Sequence, residues 1–290
     1  MTNETVIKDV FRWSHLNNRK FEVQIAEAFR YLRESGIEPI LIKGWAAARF
    51  YPPTVPRYFS DIDLTVSPTD YKAAIALLES GAKKKIIVDL HKGVRHLDTL
   101  PWNDLFENSH LVDIDGVGIR ILRPEDHLRI LCVHWLGDGG ANKDRLWDIY
   151  YAVSNRPESF DWDRCLNTVS DRRKKWITLT IGLAHKYLDL YIDDLPLAAE
   201  AKIFPLWMIP ALEYEWNSGV PLMSLHVCLS DRRMLWKQIK KRIPPNPVQA
   251  TIDVEGEFDE KNRLIYQAGS IIKRTLPSIK RIFNVFEPKK

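Results

Sequence analysis

The chain predicts a small mixed α/β unit over residues 1–123 followed by an all-helical part over 124–290. Two observations carry that division. Up to Arg123, short apolar runs at Ile40–Ile42, Ile62–Val66 and Ile86–Val88 alternate with segments of helical period. From Pro124 to about Leu190 nearly every stretch has helical period and strand-like alternation is missing. With 290 residues, 45% of them hydrophobic and 28% charged, the chain can bury a full core, and its composition excludes a collagen-like repeat, a coiled-coil rod or long disorder.

Each element follows from local pattern. Phe21, Ile25, Ala28, Phe29 and Leu32 share one face of a helix that Gly36 stops. Glu38–Lys43 is short and continuously apolar at 40–42, as in a strand buried on both faces. A small-residue helix follows from Trp45 to Tyr51, and Pro52, Pro53 and Pro56 then forbid regular structure. Asp61–Val66 is a second strand, with Pro68 opening a helix to about Glu79. Lys85–His91 is a third strand, and Leu111–Leu122 is a hairpin turning at Gly116 and Gly118. Later helices are expected over Phe204–Asn217, Ser224–Ile243 and Asn262–Phe283, the last interrupted at Pro277. Loops are expected at Pro244–Pro247 and Asp253–Glu260.

Cys132, Cys165 and Cys228 are odd in number and far apart, so they form neither a disulfide ladder nor a CxxC metal site, as expected in a reducing compartment. The N-terminus lacks the basic-then-apolar layout of a signal peptide. His185, Lys186 and Asp189 break the most apolar long stretch, Trp176–Ile192, which argues against a membrane span. The expected setting is cytoplasmic. A net charge of +4 is compatible with an anionic substrate without requiring one.

The chemistry-bearing stretch runs from Lys43-Gly44-Trp45 to Arg57-Tyr58-Phe59-Ser60-Asp61-Ile62-Asp63-Leu64. Period two puts Asp61 and Asp63 on one strand face and turns Ile62 and Leu64 into the core. Two such carboxylates repel unless a cation sits between them, and Mg²⁺ takes hard oxygen ligands together with substrate phosphates. Asp-x-Asp alone is more often a solvated strand end. Here Gly44 ends the preceding strand, where backbone amides can approach a phosphate, and Arg57 and Ser60 stand just ahead of the carboxylates.

This arrangement resembles the polymerase-β-type nucleotidyltransferase superfamily. More narrowly, Leu41-Ile42-Lys43-Gly44, Tyr51, Arg57 and Ser60-Asp61-Ile62-Asp63-Leu64 resemble a bacterial family of uncharacterised nucleotidyltransferases, over about residues 36 to 150. They are also similar to the nucleotidyltransferase toxins of type IV toxin–antitoxin systems. The resemblance implies a nucleotidyltransferase-fold α/β (α+β) N-terminal domain, an NTP donor and Mg²⁺ (or Mn²⁺) on Asp61, Asp63 and a third carboxylate. Asp89 is preferred as the third; Asp113 and Asp115 are rivals, but Asp115-Gly116 has turn chemistry. Lys43, Gly44, Arg57 and Ser60 would meet phosphate, and Lys143 and Arg145 would reach it from the helical side. Trp45 departs from the superfamily's second Gly or Ser, so it offers no hydroxyl; it would either stack on a base or pack beneath the helix.

His127 and His134, seven apart on one helix, lack a third metal ligand by spacing and are expected to pack or line a cleft. Gly137-Asp138-Gly139-Gly140 reads as a flexible connector. Arg232, Arg233, Lys237, Lys240, Lys241 and Arg242 make a basic helix, either solvated or facing RNA, a phosphorylated acceptor or an acidic peptide. The expected activity is transfer of an NMP group from an NTP to a hydroxyl of an acceptor: a tRNA end, a protein or peptide, or a small molecule. Phosphoryl transfer on the same parts, a catalytically silent nucleotide-binding module and an RNA-binding regulator are the alternatives.

Overall fold

The computed structural model describes residues 3–80, 87–220, 223, 228 and 230–286, with side chains described between residues 16 and 274. A long helix α1 (Asn3–Glu34) leads into β1 (Ile40–Ile42), α2 (Gly44–Ala48), β2 (Asp63–Val66), α3 (Tyr71–Ser80), β3 (Asp89–Lys92) and α4 (Trp102–Glu107). The hairpin β4 (His110–Ile114) and β5 (Val117–Ile121) completes a five-stranded mixed sheet of order β3-β2-β1-β5-β4. β1 runs antiparallel to β2 and parallel to β5; β2 is parallel to β3. Helices follow: α5 (Pro124–Gly137), a 3₁₀ turn Lys143–Arg145, α6 (Leu146–Ser154), α7 (Trp162–Asn167) and α8 (Asp171–Leu188). Then come α9 (Ala198–Ala201), α10 (Met208–Asn217), α11 (Arg232–Arg242), α12 (Pro247–Asp253) and α13 (Arg263–Phe286).

Strand periodicity sorts the core. Leu41, Leu64 and Ile119 meet Ile25, Phe29 and Leu32 of α1 on one face of the sheet. Ile40 and Ile42 turn to the opposite face and pack with Leu97, Leu105 and Ile130 of α5. A third cluster, with Leu128, Trp135, Ile149, Trp176 and Ile181, holds α5, α6 and α8 together. β1 is thus buried on both faces, as its unbroken apolar run requires. Among the described residues no helix is long and apolar enough to cross a membrane.

Several elements differ from their sequence pattern. β3 starts only at Asp89, because its partner starts at Asp63 and the two strands pair residue for residue from there; residues 85 and 86 lie outside the described set. Pro68 does not open a helix: Ser67 Oγ accepts from the Asp70 amide and donates to its carboxylate, closing a turn, so α3 begins at Tyr71. The hairpin turns at Asp115-Gly116, both at positive φ (54° and 72°), whereas Gly118 sits in β5 opposite Asp113. α13 passes through Pro277 without a break. Asn246 caps α12 by accepting from the Val248 and Gln249 amides, so Pro247 begins a helix rather than ending a loop. Of the expected helix over Ser224–Ile243, α11 occupies the last part and residues 224–227 and 229 lie outside the described set.

Candidate active site

The sheet topology brings one edge of three strands together. Lys43 follows the last residue of β1, Asp63 opens β2 opposite Ile42, and Asp89 opens β3 opposite Asp63. Asp63 shares the sheet face of Ile42, the face on which α5 packs, and there a cavity of about 350 Å³ opens. Lys43, Gly44, Arg57, Asp61, Asp63 and Arg145 all line it.

Asp63 is 4% exposed. Its Oδ1 accepts from Lys43 Nζ at 2.7 Å and from His91 Nε2 at 2.8 Å. Burial pushes its pKa up, but the His91 hydrogen bond and the Lys43 charge outweigh that and hold it below the ordinary carboxylate range. His91 Nε2 also lies 3.3 Å from Asp89 Oδ2. Asp89 and His91 are two apart in β3, so period two places both side chains beside Asp63. The ligand atoms of Asp63, Asp89 and His91 all fall within 4.8 Å of one another. Two carboxylates and an imidazole at that spacing fit a divalent cation, with Asp61 at the exposed lip of the same cavity.

The turn carrying Lys43 is held in an uncommon conformation. Lys43 has φ 55° and ψ −140°, a region that disfavours side chains, and Gly44 has φ 24°. The Lys43 amide donates to His127 Nε2 at 3.1 Å, satisfying a backbone group that the turn would otherwise leave unpaired. His127 is fully enclosed, and burial pushes its pKa down to about 4, so the imidazole is neutral and its Nε2 is free to accept. A Cβ on Gly44 would stand 3.4 Å from the carbonyl oxygen of Asp61, so the turn packs directly on the Asp-x-Asp backbone.

Arg57 does not stand ready for phosphate. Its Nε and Nη2 form a bidentate pair with Asp148 at 3.0 and 2.8 Å, both side chains being almost fully buried. Tyr51 donates its hydroxyl to the same carboxylate at 2.6 Å. Burial pushes the Asp148 pKa up, yet the bonds from Arg57 and Tyr51 prevail and lower it. Arg145 is different: it is 43% exposed at its side chain and its guanidinium lies 3.7 Å from Asp148.

Four other expected residues fall outside the cavity lining. Trp45 is half-buried with the α1 core; its Nε1 donates to Glu22 at 3.2 Å, so the packing role displaces base stacking. The Lys143 ammonium sits over the rings of Tyr187 and Trp216 at 5.0 and 5.2 Å. Ser60 is exposed on the approach to Asp61. Asp89 is 62% exposed at its side chain and joins the site through His91.

The lining also includes His134, as expected of a residue that packs or lines a cleft, and Asp138, Asn142 and Asp148, to which motif reasoning gave no role in the site. His134 lies on α5, and Asp138 follows one turn later with its carboxylate 3.4 Å from His134 Nε2. The Gly137–Gly140 segment that carries Asp138 is not a loose connector. A Cβ on Gly140 would meet Leu212 at 2.5 Å, and one on Gly139 would meet Asn246 at 2.8 Å. In the basic helix, Lys241 pairs with Glu215 at 2.8 Å and Arg242 bonds Gln238, whereas Arg232, Arg233, Lys237 and Lys240 are exposed.

The model of one protein family, described as uncharacterised nucleotidyltransferase, matches residues 5–189. The chain belongs to this nucleotidyltransferase family. No curated protein and no solved structure gives a significant match. The matched span runs from α1 to the residue after α8, so in this member of the family it takes in the sheet, the carboxylate cluster and the helices α5 and α6 that wall the cavity.

Proposed function

We propose that the chain transfers an NMP group from an NTP to a hydroxyl of an acceptor and releases pyrophosphate. Asp63, Asp89 and His91 hold a divalent cation, Mg²⁺ or Mn²⁺, with Asp61 as a further carboxylate toward the substrate. The observation that carries this reading is the Asp63–Asp89–His91 cluster beside Lys43, at the edge of a cavity lined by Asp61 and Arg145, in a chain of this family. The cation supplies charge neutralisation at the triphosphate and at the acceptor oxygen. Lys43 and Arg145 add positive charge on two sides of the cavity, and the neutral His127 fixes the turn from which Lys43 projects. No side chain has to act as a covalent nucleophile, because positioning and charge stabilisation carry this chemistry. In this reading residues 1–123 supply the carboxylates and 124–290 close the cavity and select the acceptor, an RNA end, a protein or peptide hydroxyl, or a small molecule.

The test is label transfer. The protein is incubated with α-labelled and, in parallel, γ-labelled NTPs, Mg²⁺ or Mn²⁺ and fractionated cell extract, beside an Asp61→Ala/Asp63→Ala variant. Label that moves to an RNA, protein or small-molecule fraction with wild type and not with the variant supports the reading. Label from the γ-position moving instead would replace it with phosphoryl transfer.

A further inference from the structure

A second cavity of about 400 Å³ adjoins the first and differs from it in chemistry. Arg57, Asn142, Arg145 and Asp148 line both, so the two are chambers of one cleft separated by the Arg57–Asp148 pair. The second chamber holds none of the sheet carboxylates. Its walls are aromatic: Tyr51, Tyr58, Trp147 and Tyr151.

Tyr51, Trp147 and Tyr151 hold one another in place. Tyr51 is anchored through its hydroxyl to Asp148, and its ring lies 4.5 Å from that of Tyr151. Trp147 stacks on Tyr151 with an interplanar angle of 26°. Trp147 and Tyr151 are only half-buried, so part of the ring surface of both remains exposed. Arg57 and Asp148 neutralise each other, leaving Arg145 as the cation that faces both chambers.

We propose that this aromatic chamber is the subsite for the nucleobase of the donor nucleotide, with Tyr151 and Trp147 as the stacking platform. The inference rests on the nucleotidyl-transfer reading above. A triphosphate drawn to Lys43, Arg145 and the cation in the first chamber leaves its nucleoside end to lie across the Arg57–Asp148 wall. A ring-lined pocket in which Asp144 and Asp148 balance Arg57 and Arg145 suits a planar heteroaromatic base and gives a phosphate nothing that the first chamber does not provide better. Stacking tolerates every base but favours the larger purines.

The experiment is titration calorimetry with Mn²⁺ and either an NTP or inorganic triphosphate, on wild type, Tyr151→Ala, Trp147→Ala and Tyr151→Phe. ATP and GTP are expected to bind tighter than triphosphate in wild type. Tyr151→Ala and Trp147→Ala should weaken the purine nucleotides roughly ten-fold while leaving triphosphate unchanged, and Tyr151→Phe should restore nucleotide affinity. Equal weakening of triphosphate and ATP would mean the rings only support the fold, and overturns the proposal. So does wild type binding ATP no tighter than triphosphate, or the alanine variants binding ATP as wild type does; in both cases the nucleotidyl-transfer reading survives. Wild type binding neither ligand removes both.

Discussion

Lowering the pH should loosen the Lys43–Gly44 turn through His127, and the size of the effect can be worked out. His127 accepts the Lys43 amide through Nε2, an interaction open only to the neutral ring. Burial, with Arg57 and Arg49 adding like-charge repulsion, holds the folded pKa at about 4 against an ordinary 6.5. Keeping the ring neutral over that interval is worth about 3 kcal/mol of pH-dependent stability, at 1.36 kcal/mol per pH unit. The folded pKa is the lower one, so the unfolded chain takes up the proton first. The contribution is therefore complete above about 6.5 and declines on acidification until pH falls through about 4. At pH 5 roughly 2 kcal/mol of it is gone.

The assay is urea unfolding of wild type and His127→Gln at pH 7.5, 6 and 5. Gln can still accept from the Lys43 amide but does not titrate, so its midpoint should fall less than that of wild type over the same interval. His96 and His134 are also shifted down, and they contribute equally to both proteins, which is why the difference between the two is diagnostic. Parallel midpoints in the two proteins, or an NMR titration placing His127 near 6.5, would refute the argument.

Other outcomes follow from the same geometry. Asp148→Ala strands the buried Arg57 guanidinium and should cost about 3–5 kcal/mol by urea unfolding, most of it recovered in an Arg57→Met/Asp148→Leu double variant. The lowered pKa values of Asp148 and Asp63 stabilise the fold above the ordinary 3.8 of the carboxyl, and that contribution is lost only as pH falls below it, in a window separate from that of His127. Gly182→Ala would place a Cβ 1.9 Å from the Ala201 carbonyl oxygen, where α8 meets α9. A thermal melt should show a loss of about 3 kcal/mol or more. Cys132 and Cys165 are buried, with thiol pKa values pushed up, that of Cys165 to about 12; neither should react with iodoacetamide at pH 8 until the protein is unfolded.

The parts of the fold that were legible in the sequence are those set by local period. The apolar run 40–42, the alternation through Ile62 and Leu64, and the Asp115-Gly116 turn each depend on neighbours in the chain, and all three stand in the structure. What local pattern misjudged depended on partners far away in sequence. β3 begins where Asp63 offers it a partner, and Gly139 and Gly140, which resemble a loose linker, are clamped by Asn246 and Leu212. His91 shared a strand face with Asp89 on period alone, but only the β2–β3 register shows that this face turns toward Asp63.

The cations of the site show the same limit in energetic form. Lys43, Arg57, Lys143 and Arg145 look interchangeable in a sequence, since each is a positive charge near a motif. What separates them is whether another group has already claimed the charge. Arg57 is claimed by Asp148, 91 residues away, in a buried bidentate pair, so its role is to tie the Pro-rich crossover to α6 and so set the wall of the cleft. Lys143 is claimed by two rings. Arg145 keeps substantial exposure, and Lys43 is bound to Asp63 itself, the group that the cation would share. A cation held by Asp63, Asp89 and His91 would therefore compete with Lys43 for Asp63, leaving the ammonium to serve the substrate. Lys43→Met should then tighten Mn²⁺ binding measured by electron paramagnetic resonance while weakening inorganic triphosphate binding. Weaker Mn²⁺ binding in that variant would refute the competition.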